Sequence, residues 1–180
     1  MSKPLGFHEA KDVKAAVNYT RGLARAGPLI LYGQSMGGAA VLKAMSDSNL
    51  GVDAIILEGV FDKMLSTVGN RFVAMRVPSF PSAHLLTFWG GMQLGFSGFG
   101  HNPVDYAQTV KCPALILHGK EDPRATVEEA RNIFSSLSGT KRMELFDDTG
   151  HSSCHKADPE QWKEAVYSFL ESLDKAKGEP

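Results

Sequence analysis

Cysteine is scarce in this 180-residue chain: Cys112 and Cys154 are its only two, too few for a disulfide framework. A dominant charge is lacking too. Lys and Arg number 19 against 20 Asp and Glu, a formal net charge of −1 with no long run of either sign. That balance carries no electrostatic footprint for nucleic acid. No hydrophobic run reaches the roughly 20 residues that span a bilayer. The most apolar stretch outside the strand candidates, residues 84–96, is interrupted by Gly90, Gly91 and Gly95. The start, Met1-Ser2-Lys3-Pro4, leads into polar residues instead of the apolar core of a signal peptide. Metal and nucleotide motifs are missing: there is no H-E-x-x-H, no paired C-x-x-C and no Walker-type loop. These absences predict a soluble, cytoplasmic protein with reduced thiols and no transmembrane segment. They predict no metal, no cofactor and no nucleic-acid partner. Its length suits one domain over residues 1–180.

What is present alternates short apolar runs with segments of helical period. Residues 29–32, 52–57, 114–117 and 143–146 read as strands, the first three apolar enough to be covered on both faces. Between them, Val13, Ala16, Val17 and Thr20 mark one helix face, and residues 36–45 are apolar nearly all round. Val127, Ala130, Phe134 and Leu137 mark another helix. Trp162, Ala165, Val166, Phe169, Leu170 and Leu173 mark a last one, with Asp158 as N-cap, Pro159 at the first helical position and Gln161 completing a capping-box-like start. The tail from Lys175 should fray. Strands alternating with helices predict an α/β fold: a parallel sheet between helical layers, joined by right-handed crossovers. Residues 59–110 break the alternation with large apolar side chains and glycines but no strand, and read as a helical insertion or cap within the domain.

The sharpest local signal is Gly33-Gln34-Ser35-Met36-Gly37-Gly38, which follows a strand and opens a helix. This is the G-x-S-x-G nucleophile elbow in its required setting. The serine sits on a strained turn that exposes its hydroxyl, glycine is expected at 33 and 37 to avoid collision with backbone, and the helix aims the Met36 N–H at an oxyanion. A serine needs a base and the base an orienting acid. Asp122 follows the third strand in His118-Gly119-Lys120-Glu121-Asp122-Pro123, and His151 follows the fourth in Asp147-Asp148-Thr149-Gly150-His151. In a parallel sheet all these C-terminal ends lie on one edge, so Ser35, Asp122 and His151 should converge. Glu121 is the competing acid and His155 the competing base. His118 reads as a strand-end histidine bonded to backbone, His8, His84 and His101 as surface or loop residues, and Cys154 as a buried, inert thiol.

On these motifs, together with Gly6-Phe7-His8-Glu9-Ala10-Lys11-Asp12-Val13 and the final amphipathic helix, the chain resembles the α/β-hydrolases of the esterase, lipase and serine-peptidase kind. The resemblance covers about residues 6–174. It implies Ser35 as nucleophile, His151 as general base and acid, Asp122 as orienting acid, the Met36 N–H as an oxyanion donor, and residues 59–110 in the place of the variable cap. It implies a serine hydrolase cleaving a small-molecule carboxylic ester through an acyl-enzyme; peptide and thioester cleavage use the same apparatus. The departure from the pattern is at the start. Members carry several strands before the elbow strand, whereas 28 residues precede Leu29 here, and no segment matches the loop that supplies the second oxyanion N–H. Three expectations follow: a fragment of a longer hydrolase, a sheet edge completed by pairing with another copy or chain, or a reduced hydrolase whose insertion covers the gap. A catalytically weak fragment acting as a binding or assembly module is the alternative to an enzyme.

Overall fold

A computed structural model describes residues 5–23 and 27–178. In chain order the elements are α1 (Ala10–Gly22), β1 (Ile30–Gln34), α2 (Met36–Asp47), β2 (Ala54–Glu58), α3 (Met64–Ala74), α4 (Ser82–Leu94), a short 3₁₀ turn at Gly98–Gly100, α5 (Pro103–Ala107), β3 (Ala114–Gly119), α6 (Val127–Ser136), β4 (Lys141–Phe146), α7 (Cys154–Ala157) and α8 (Pro159–Gly178). The four strands form one parallel sheet in the order β1-β2-β3-β4. Every strand therefore ends on the same edge. Gln34 is in register with Glu58, Leu57 with Ile116 and His118 with Leu145, so the segments after each strand leave the sheet side by side.

The two-residue period of the strands divides the core between two layers. Ile55, Leu57 and Ile116 point to one face, where they pack with Val17 of α1, Val41 and Leu42 of α2, Ala107 of α5 and Ile133 of α6. Ile56, Leu115, Leu117 and Phe146 point to the other, against Ala165, Val166, Phe169 and Leu173 of α8. Each such side chain contributes about 1.5–3 kcal/mol when fully buried, and this double burial is why β2 and β3 read as continuous apolar runs. The result is the expected three-layer αβα arrangement.

Several details differ from the sequence reading. β1 lies at a sheet edge, as the few residues before it lead one to expect, but it is not covered on both faces: Tyr32 is 48% exposed. In α1 Val17 is buried but Ala16 is exposed, because the helix touches the layer along a narrower stripe than its spacing suggested. At the start of α8, Asp158 caps the helix by accepting from the Glu160 and Gln161 N–H groups. Gln161 does not return the bond; its amide donates to the Leu145 carbonyl and ties α8 to β4. That helix runs through Lys175 to Gly178, and the rest of the tail expected to fray lies outside the described residues.

Between β2 and β3 the described chain is helical, as expected. Met64, Val68, Ala83 and Phe96 form a small core of their own with Leu5 and Phe7, apart from the two layers at the sheet. The helix α4 is apolar on all sides, and Leu85, Leu86, Phe88, Trp89 and Met92 stand exposed on it. Among the described residues no helix is long and apolar enough to cross a membrane.

Candidate active site

Ser35 occupies the one-residue joint between β1 and α2, at φ 50° and ψ −114°. A non-glycine residue in this region is strained, and its N–H bond to the Glu58 carbonyl, 2.7 Å, helps hold it there. The strand and helix approach so closely that a Cβ on Gly33 would lie 2.7 Å from the Gly37 carbonyl carbon and the Gly38 Cα. The second required glycine is Gly38, not Gly37. A Cβ on Gly38 would lie 2.1 Å from Val60 Cγ2, whereas one on Gly37 would meet nothing within 4 Å. The helix turns Gly38 toward the segment after β2 and Gly37 away from it.

The segments after β3 and β4 come together through Gly119. A Cβ there would lie 2.2 Å from the Thr149 carbonyl oxygen, so a glycine is required for the two loops to meet. The Glu121 N–H donates to that same carbonyl, and Lys120 pairs with Asp147. This zipper brings Asp122 to His151. His151 Nδ1 lies 2.7 Å from Asp122 Oδ2, and His151 Nε2 lies 2.9 Å from Ser35 Oγ. With Asp122 accepting the Nδ1 proton, Nε2 presents a lone pair to the serine hydroxyl. Three residues from three loops, 87 and 29 positions apart in sequence, thus form one hydrogen-bonded chain. Glu121 is exposed and does not reach the imidazole, and His155 packs edge-on against Trp162 instead of approaching Ser35.

Asp122 is buried, and burial alone would raise its pKa. The hydrogen bonds from His151 and from the Ala125 and Arg124 N–H groups outweigh that penalty and hold its carboxyl below the ordinary value. It is therefore an acceptor at neutral pH. Behind it, His118 is fully buried and bonds the Ala125 carbonyl at 2.9 Å, bracing the Asp122 loop. Burial lowers the His118 pKa, which keeps this imidazole neutral. Met36 opens α2, so its N–H is among those a helix leaves without an internal partner. Cys154 is buried as expected, and burial beside Glu58 pushes its thiol up to about 12.

Glu58 carries a role that the sequence did not reveal. It is 1% exposed and accepts three hydrogen bonds: from Tyr32 (2.5 Å), Gln34 (2.8 Å) and the Cys154 N–H (3.0 Å). It thereby ties the strand that carries Ser35 to the loop that carries His151. Burial and the neighbouring carboxyl push the Tyr32 hydroxyl well above its usual pKa, so Tyr32 stays a donor. His101 is likewise not a surface residue: it is fully buried, bonded to the Leu5 carbonyl and to Tyr106. Among the described residues no group of three His, Cys, Asp or Glu side chains is placed to hold a metal ion.

The sequence model of the prolyl oligopeptidase family matches residues 1–176. The uncharacterized protein YfhR of Escherichia coli K12 is 28% identical over 143 residues, which cover 78% of this chain and 44% of YfhR. Among solved structures, an acylaminoacyl peptidase of Pyrococcus horikoshii superposes with a TM-score of 0.68 at 18% identity, covering 94% of this chain and 28% of that one. An esterase of Pyrococcus furiosus gives 0.71 at 18% identity, covering 94% and 64%. A puromycin-hydrolyzing peptidase of Mycobacterium tuberculosis gives 0.66 at 19% identity, covering 92% and 25%. The chain spans less than half the length of YfhR and of either peptidase.

Proposed function

This chain belongs to the prolyl oligopeptidase family and has the α/β-hydrolase fold, and from that premise we propose that it is a serine hydrolase cleaving a carboxylic ester through an acyl-enzyme. The observation that carries the reading is the continuous Ser35–His151–Asp122 chain at 2.9 and 2.7 Å. His151 Nε2 takes the hydroxyl proton as Ser35 Oγ attacks the ester carbonyl carbon. The Met36 N–H, at the positive end of α2, donates to the oxyanion as charge develops there. Collapse of the tetrahedral intermediate breaks the bond to the alcohol oxygen, which leaves with the proton from His151. Water then attacks the acyl-enzyme, giving up a proton to His151, and the bond to Ser35 Oγ breaks as His151 returns that proton to it and the acid product leaves. Asp122 holds the imidazole in the required tautomer and stabilises its charged form. Residues 59–110 serve as a cap whose α3 and α4 wall the substrate site.

The apolar lining next to Met36, formed by Met64, Val68, Leu86 and Leu94, suits an aliphatic acyl group. The test is steady-state hydrolysis of p-nitrophenyl acetate and p-nitrophenyl octanoate by the purified chain and by Ser35→Ala. Turnover that falls to the uncatalysed rate in the variant supports the reading. A folded wild-type chain that cleaves neither ester, or a variant that cleaves both as well as wild type, overturns it.

A further inference from the structure

A pocket of 330 Å³ adjoins the head of α2. The helix α3 contributes Met64, Val68 and Arg71, spaced i, i+4 and i+7 on one face. Facing them, α4 contributes Leu86, Gly90 and Leu94 at intervals of four. A Cβ on Gly90 would meet nothing within 4 Å, so the space beside this position is open. Met36 and Leu5 complete the wall, whereas neither His151 nor Asp122 lines it. Met36 directly follows Ser35 at the head of α2, so the pocket lies beside the elbow. On the function proposed above, a carbonyl held at the Met36 N–H extends its acyl chain toward this wall.

One charge stands in this apolar lining. The Arg71 side chain makes no hydrogen bond or ion pair among the described residues, and neither α3 nor α4 carries an Asp or Glu. A basic residue in the last turn also suits the α3 dipole, but any face of that turn would serve the dipole equally. Here Arg71 lines the pocket and is itself exposed, so its charge stays in reach of water. The planar guanidinium matches a carboxylate in bidentate geometry. Seven residues of α3 separate Met64 from Arg71, a rise of about 10 Å, the span of a medium-length chain.

We propose that the pocket takes an acyl chain ending in a carboxylate paired with Arg71, so that the preferred substrates are half-esters of medium-length dicarboxylic acids. The inference rests on the reading of Ser35 as the nucleophile. Its test compares kcat/KM for mono-p-nitrophenyl suberate and p-nitrophenyl octanoate, two esters with eight-carbon acyl chains that differ in the terminal charge. Wild type is expected to favour the suberate, and Arg71→Gln to lower the suberate-to-octanoate ratio by about fivefold, the upper range for a solvent-accessible ion pair. Added salt should lower that ratio in wild type and leave it flat in the variant. Gly90→Leu, which fills the pocket without touching the charge, should raise the ratio of acetate to octanoate turnover. Turnover of both eight-carbon esters with the same ratio in wild type and Arg71→Gln overturns this inference alone. Turnover of neither overturns the hydrolase reading beneath it.

Discussion

Replacing Glu58 should separate the carboxyl's hydrogen bonds from its mere volume. In Glu58→Ala three donors lose their acceptor, but they do not suffer equally. Tyr32 is 48% exposed and Gln34 is exposed, so water can replace the carboxyl in part at both and each loss costs about 0.5–1 kcal/mol. The Cys154 N–H lies on a residue 1% exposed and has no such recourse, which costs about 1–3 kcal/mol. The space left by the side chain adds to this, giving a total of about 3 kcal/mol and a Tm lower by roughly 6–12 °C. Glu58→Gln is the control. Its amide oxygen can still accept from Gln34 and Cys154, while its NH₂ can donate to a reoriented Tyr32 hydroxyl, so its cost should stay near 1 kcal/mol. Guanidinium denaturation at neutral pH measures both. Because Cys154 lies three residues beyond His151, kcat should fall in Glu58→Ala and survive in Glu58→Gln. Equal, small losses in the two variants, both under about 1 kcal/mol, would refute the claim that this carboxyl holds the segments carrying Ser35 and His151 together.

The elbow glycines are expected to behave in opposite ways: Gly38→Ala should lose about 1–3 kcal/mol through collision with Val60, while Gly37→Ala should be neutral or slightly stabilising, both by thermal denaturation. Asp122→Asn should lower kcat on p-nitrophenyl esters by on the order of 10⁴. It should also change acid stability. The folded pKa of Asp122 lies below its unfolded value, so its contribution is present at neutral pH and is lost as pH falls through the folded value. The stability gap between wild type and Asp122→Asn should therefore narrow on acidification, as denaturation at a series of pH values would show.

What was legible in the sequence was whatever a local pattern dictates. The strands β2 and β3 stand out because both faces are buried, and the elbow because its strand, turn and helix are contiguous. Asp122 and His151 were legible one step further on, through the rule that parallel strands end on one edge. The features that escaped depend on partners far along the chain. Gly37 and Gly38 are adjacent, and only the placement of Val60 shows which one cannot carry a side chain. Glu58 looks like the end of an apolar strand until Gln34 and the Cys154 N–H, 24 and 96 positions away, converge on it. His101 sits among loop residues in sequence yet is enclosed by Phe7, Phe61, Phe96 and Tyr106. The capping box at Thr126 and Glu129 did have a local signal, a threonine three residues before a glutamate, which the helix periodicity overshadowed.

The central claim is that Ser35 is a nucleophile activated by His151. Incubation with a fluorophosphonate followed by peptide mass spectrometry tests it most directly, because the reagent phosphonylates a serine only where the hydroxyl is activated. The account predicts a single adduct on the peptide containing Ser35, abolished in Ser35→Ala and strongly slowed in His151→Ala. A folded chain that takes up no label, or one that is labelled at another serine while Ser35 stays free, would contradict it.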